Sequence, residues 1–461
     1  MLQEVELPDF GESATEPELG RPIFEARIAR ARRRAEAAGY DALVVYADRE
    51  HSANIAYLTG FEPRFEEAML ILGRDPTPAL IVGNEGWGYV DISPLELRRV
   101  LYQSFSLLAQ SRSESPDLAD LFRSEGIGAG SRVGVAGWKY FIDGEATHPE
   151  RRLEIPSYIA DTLRELTGTS ATVTNAGPIF MNAGDGLRVI NELDQLAAFE
   201  YAACHTSTAV KNVLFGLEPG MTEYDAVRLM KLKGMPMSCH LMLSSGPRAT
   251  MGLPSPSCRV IERGDRFTTA FGVWGALNCR AGFVVRDETE LPASIRDYVD
   301  KLVAPYFRAI ASWYEAIGIG VRGGELYDIV HAAIGDPFFG VSLNPGHQIH
   351  LDEWVNSPVY AGSDIPLESG MAFQVDVIPA TGTDYFTTNI EDGIALADDS
   401  MRRAFSESYP EAWARIERRR AFMRDALGIR LRPEVLPFSN IPAYLPPFLL
   451  SPNRVMTMKS N

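Results

Sequence analysis

Ser244–Arg286 reads SSGPRATMGLPSPSCRVIERGDRFTTAFGVWGALNCRAGFVVR. Three short segments follow: PGHQIHLDEW (Pro345–Trp354), LESGMAFQVDVIP (Leu367–Pro379) and NIEDG (Asn389–Gly393). Taken in that order, the four decide the fold. HQIHLDEW is dense in titratable side chains for so short a stretch. As a strand it would place His347, Ile349 and Leu351 on one face and Gln348, His350 and Asp352 on the other. His347 and His350 therefore need not share a cavity. Burial of a histidine or a carboxyl beside other carboxylates raises its pKa, which suits general acid/base work. His347, His350, Asp352, Glu353, Asp376 and Glu391 make up this candidate cluster. A buried histidine paired to a carboxylate is also an ordinary way to satisfy a core.

Outward from these segments the chain is strongly patterned. Leu187–Leu217 carries apolar residues at three- and four-residue spacing and is broken by Pro219–Gly220, so it reads as a long helix. MTEYDAVRLMKLKGM follows as a second helix with Thr222 as its N-cap. Residues 294–317 and 323–335 read as two more. On the N-terminal side, residues 24–38 form a helix ending at Gly39. Apolar runs at residues 40–47, 68–73, 78–83 and 132–137 read as buried strands. Alternating strands and helices imply an α/β domain. The expected layout is an arm at 1–19, an α/β domain at 20–183, a catalytic α+β domain at 184–428 and a Pro-rich tail at 429–461. The tail has too many prolines for a helix.

A chain of 461 residues supports more than one domain and a large core. The net charge of -17 and pI near 5.0 argue against a nucleic-acid partner, which needs a basic patch. The four cysteines form no CxxC framework, as expected in a reducing compartment. The acidic N-terminus does not read as a signal peptide, and no apolar run is long enough to span a membrane. A cytoplasmic protein with no membrane association is the expectation.

The segments quoted first resemble the catalytic half of the creatinase, prolidase and methionine aminopeptidase family. Residues 187–204 are similar to its linker helix and GMTEYDA (Gly220–Ala226) to its turn and helix. The resemblance covers most of the chain. It implies an N-terminal α/β domain followed by an α+β pita-bread domain. It also implies a site for two metal ions held by Asp, Asp, His, Glu and Glu. The two Asp positions, on the strand pair GDRFTTA and RAGFVVR, fall on Ala270 and Ala281, and alanine offers no donor. The other three fall on His347, Asp376 (a Glu in the family) and Glu391. One His and two carboxylates could hold a single ion loosely. A further family histidine, the general acid/base of metal-free creatinase, is replaced by Leu253. The expectation is a protein with no metal and no other cofactor.

Other residues enter through the same resemblance. Arg64 lies where creatinase sends an arginine into its partner's site, which implies a homodimer and a clamp for a substrate carboxylate. His240 starts a strand that often bears a substrate-binding histidine. Cys279 lies between the lost Asp positions, and its neighbour Arg280 could lower its pKa toward a reactive thiolate. Asp352-Glu353-Trp354, with Ser245–Arg248, is similar to dimethylsulfoniopropionate lyases of this fold, although the triplet lies one residue closer to the histidine. The expected function is metal-independent hydrolysis of a C–N bond in a small polar molecule. His347 or His350 with Asp352 or Glu353 would move protons. Asp376, Glu391, His240, Arg64 and Cys279 would bind substrate. A lyase using a carboxylate base and a non-catalytic binding protein are the alternatives.

Overall fold

The computed structural model describes residues 1–459. It divides into two compact units, Leu19–Arg188 and Met1–Glu18 combined with the chain from Val189 onward. The first eighteen residues and the Pro-rich tail thus belong to the larger unit. Leu2–Glu4 pairs antiparallel with Arg454–Met456. In the tail Ile441, Tyr444, Leu445 and Phe448 are fully buried. Proline removes helix there, but the apolar side chains still drive the segment into the core.

The smaller unit is built on a six-stranded mixed sheet in the order Arg98–Leu101, Ala79–Val82, Ala68–Leu72, Ala42–Ala47, Val133–Ala136, Val173–Asn175. The four strands expected from apolar runs are the central ones and are wholly buried. The two edge strands carry no such run. Arg98–Leu101 is half-buried and Val173–Asn175 is three residues long, so neither shows an apolar signal. Val44, Ile71, Ile81 and Val135 pack with Leu121, Phe122 and Leu163 from helices over the sheet.

The larger unit opens with the 24-residue helix Leu193–Gly216, shorter at its start than its apolar pattern. Glu223–Leu229 follows, and Thr222 and Asp225 close a reciprocal capping box at its start. It ends early because Lys231 turns the chain out at φ 52°. The expected helix 294–317 is a π-helical turn, Val299–Val303, followed by the α-helix Ala304–Ala316. Pro305, with no N–H to give, stands at the change-over.

Two four-stranded antiparallel sheets complete the unit. One runs Asn389–Glu391, Ala276–Phe283, Arg266–Val273, Met242–Ser245. The other runs His347–Gln348, Ala372–Gln374, Gly393–Leu396, Val435–Pro437. Asp392 is the single residue between the strands Asn389–Glu391 and Gly393–Leu396, so it links the sheets.

Candidate active site

Strand register builds the site. Met242 pairs with Ala270, Ala270 with Cys279 and Cys279 with Glu391, a row across four strands. The next row on the same face is Ser244, Thr268, Ala281, Asn389. Alternation sends Asn278 and Arg280 to the other face. The first face opens on a cavity of about 850 Å³, lined among others by Thr268, Ala270, Cys279, Asn389 and Glu391. Leu253 stands on its wall, 76% exposed.

Beside Glu391 lies a buried cluster. His347 Nε2 is 3.1 Å from Glu353 Oε1, 3.9 Å from Asp376 Oδ2 and 3.9 Å from Glu391 Oε1. The 3.1 Å approach is an ion contact, and His347 Nε2 has no hydrogen-bond partner among the described residues. Asp376 Oδ1 and Glu391 Oε1 likewise have none. The other ring nitrogen, Nδ1, lies 3.2 Å from the Gln348 carbonyl, and the ring stacks on Trp354 at 4.1 Å. A Nδ1–H donated to that carbonyl leaves Nε2 to face the acids. Glu391 is on the cavity wall; His347 and Asp376 are buried and are not among the wall residues.

Electrostatics set distinct protonation states. Burial disfavours the His347 imidazolium, but Glu353, Glu391 and Asp376 outweigh it and raise the histidine to about 10. Burial is the largest cause at Asp376, opposed by His347 and reinforced by Glu353, and its carboxyl is pushed up to about 6. Burial and the Asp376 carboxylate hold Glu391 well above the usual range, against the pull of His347. The cluster thus combines a histidine held in its charged form, a Glu391 whose carboxyl keeps its proton to higher pH than an ordinary glutamate, and an Asp376 poised to exchange a proton.

Two metal ions do not fit this face. Ala270 and Ala281 carry no donor, and their row neighbours include the thiol Cys279 and the uncharged Thr268 and Asn389. The ligand atoms of His347, Glu353 and Glu391 lie within 4.8 Å of one another, a set that one cation could join.

The remaining expected residues divide clearly. His350 is fully buried and meets Phe199 edge-on at 5.3 Å; the strand is only His347–Gln348 and the chain turns after it. Asp352 is half-buried, and its carbonyl accepts from the His350 N–H at 3.3 Å. His240 precedes the strand Met242–Ser245, is exposed and is not on the cavity wall. Arg64, in the smaller unit, is exposed and ion-paired with Glu62 at 2.8 Å. Cys279 lines the cavity, yet its thiol is pushed up, by burial first and by Glu391 next. The expectation of a lowered thiol is overturned because Arg280 points to the opposite face. There its guanidinium donates to Asp392 at 2.8 Å, Tyr444 O at 2.8 Å and Ile441 O at 2.6 Å.

Glu223, which sequence reading left as a helix residue, holds the loop at one side of the cavity. Its fully buried carboxylate accepts from Ser245 N–H at 2.8 Å, Ser257 N–H at 2.8 Å and Ser257 Oγ at 2.7 Å, and it pairs with Arg248. Burial opposes its charge, but the Ser257 and Ser245 hydrogen bonds and Arg248 prevail and hold it below the usual carboxylate range. A lowered folded value stabilises the chain fully above the unfolded glutamate value of about 4.3. That contribution disappears as pH falls through the folded value. Glu223→Gln is therefore expected to cost about 1.5–3 kcal/mol near neutrality and to flatten the acid limb of stability against pH. Urea titrations across pH 3–7 measure this, and an unchanged acid limb would contradict it.

An N-terminal mixed sheet, a second unit of two antiparallel sheets and a cavity on the sheet face define a pita-bread protein with a creatinase-type N-terminal domain. Residues 27–141 match the creatinase/prolidase N-terminal domain family. Among solved structures, the prolidase of Thermococcus sibiricus is 18% identical with a TM-score of 0.63, over 81% of this chain and 95% of that one. The prolidase of Pyrococcus horikoshii is 14% identical with a TM-score of 0.61, over 81% and 95%. The Xaa-Pro dipeptidase of Bacillus anthracis is 17% identical with a TM-score of 0.59, over 82% and 96%. Identity this low carries the fold and leaves the activity to the site. No curated protein sequence matches the chain. Among the described residues no helix is long and apolar enough to cross a membrane.

Proposed function

We propose that the protein is a hydrolase that cleaves a C–N bond of a small polar molecule without a two-ion centre. The observation that carries this reading is the quartet His347, Glu353, Asp376 and Glu391, with Glu391 on the wall of a cavity whose strand face bears Ala270, Cys279 and Thr268 and no second carboxylate. Solved structures of the same fold are named prolidase and Xaa-Pro dipeptidase, which supports hydrolysis next to nitrogen. In this reading a water drawn past the wall to Asp376 gives that carboxylate a proton as its oxygen bonds to the carbon. Glu391 gives its proton to the leaving nitrogen as the C–N bond breaks. His347, 3.9 Å from each, returns the proton from Asp376 to Glu391. Glu353 holds the imidazolium in place. Such contacts shorten when substrate closes the site. A homodimer in which the partner subunit supplies an arginine equivalent to Arg64 belongs to the same proposal.

A second reading is favoured by the close approach of His347, Glu353 and Glu391. A single cation there would polarise the substrate or a water. Elemental analysis and chelation separate the two. The first reading expects substoichiometric transition metal, chelator-insensitive turnover and no hydrolysis of Xaa-Pro dipeptides, for which the two-ion donors are missing. One ion held per chain, with turnover lost on chelation and restored on re-addition, would replace it with the second.

A further inference from the structure

We infer that Arg266 anchors an anionic end of the substrate and that Asp384 occupies it until substrate arrives. The substrate is then a small molecule whose carboxylate lies several bonds from the C–N bond that is cleaved. This deepens the reading above and rests on Glu391 as the place where the nitrogen sits.

Among the described residues, Arg266 is the one cationic side chain on the cavity wall. It lies on the same strand face as Thr268 and Ala270, since the three alternate. Ala270 is in the row that ends at Glu391, so Arg266 starts about 13 Å along the strand from that row. Its side chain can span roughly half of that. The remaining gap suits a short chain with opposite chemistry at its two ends.

Three features make Arg266 available. Its guanidinium donates to Asp384 Oδ1 at 2.9 Å, but Asp384 is 75% exposed while Arg266 is 26% exposed. A pair with one partner that exposed is weak and readily exchanged. A carboxylate ligand reproduces the geometry of the Asp384 contact and is a natural replacement. The guanidinium also lies 5.9 Å from the Phe386 ring centroid, which gives it a platform. Finally, Phe386 holds φ at 65°, a conformation that is strained for a bulky residue and marks the loop as shaped by its contacts.

The chemistry at the two ends is complementary. After C–N cleavage the nitrogen has taken the Glu391 proton and leaves as a neutral amine; a second proton, from the newly formed acid or from water, makes it an ammonium beside the carboxylates. The product half is then a zwitterion, an amine at Glu391 and a carboxylate at Arg266. Omega-amino carboxylates are the matching probes.

The test is isothermal titration of full-length protein with 4-aminobutyrate and 6-aminohexanoate, each against the alkylamine of the same length. The carboxylate is expected to tighten binding about tenfold, the worth of a charge-assisted hydrogen bond. In Arg266→Gln that ratio should fall to near one. In Asp384→Asn, where the competing carboxylate is gone, it should rise. Two variants of opposite sign guard against simple misfolding, and thermal melts check that each is folded. A ratio near one in the unaltered protein, or no difference in Arg266→Gln, overturns the inference. Glu391→Gln separates it from the functional reading. Loss of alkylamine binding there, with a ratio of one throughout, sinks Arg266 alone. An unchanged alkylamine affinity there sinks the placement of the nitrogen.

Discussion

Glu391→Gln is expected to lower turnover by about 10²–10⁴ with the fold intact, the usual effect of removing a positioned proton-transfer group. Glu391 is the quartet member that meets the cavity, and burial beside Asp376 raises its carboxyl well above the usual range, which favours the protonated form. Gln keeps the size and much of the hydrogen bonding of a neutral carboxyl but has no proton to give the leaving nitrogen. The loss should therefore fall on kcat, with little change in melting temperature. Asp376→Asn should match it, since that carboxyl at about 6 is the exchangeable base. His347→Gln should lose as much or more, because the relay runs through it. The check is turnover of each variant on one C–N substrate alongside urea denaturation. If these three keep near-normal turnover while Cys279→Ser is inactive, a covalent thiol mechanism takes their place. If all three merely unfold, the quartet is a structural network.

Arg280→Met is expected to cost about 3–5 kcal/mol of stability, the range for breaking a buried ion pair from one side. Arg280 and Asp392 are each 1% exposed in their side chains and lie 2.8 Å apart. The guanidinium also satisfies the carbonyls of Tyr444 and Ile441. Asp392 in turn accepts from Ala443 N–H at 2.9 Å and from Asn278 at 2.8 Å. The pair therefore fastens the tail to both sheets at their one-residue junction. Removing the cation leaves a buried carboxylate, which must take up a proton or draw in water. Adding Asp392→Asn removes that charge, so the double variant should recover part of the loss. Urea melts of the two single variants and the double variant give the coupling. A loss below about 1 kcal/mol, as for an exposed pair, would show that the junction is held some other way.

Much of this protein was legible in its residues. The four apolar runs of the smaller unit became its central strands, since a sheet covered on both faces needs continuous apolar sequence. Thr222 announced its capping box through a local pattern. The quoted segments led to the pita-bread fold, and the residues at 270 and 281 could be read at once as alanines with no donor to offer a metal. The helix ends and the edge strands were less legible. They depend on single backbone turns, such as Lys231, or on pairing with a neighbour that has no local signature.

The site itself divides along the same line. Composition at each position is local, so the sequence alone determined which donors exist: a histidine, several carboxylates and no aspartate on the central strands. Which of them meet was decided by tertiary structure. Register set Ala270, Cys279 and Glu391 in one row. It turned Arg280 away from the thiol it was expected to activate. A turn after two strand residues took His350 to Phe199 and left His347 among Glu353, Asp376 and Glu391. The protonation states followed from that meeting. They arise from burial and from charges a few ångströms apart, and residues far separated along the chain acquire both only when the chain folds.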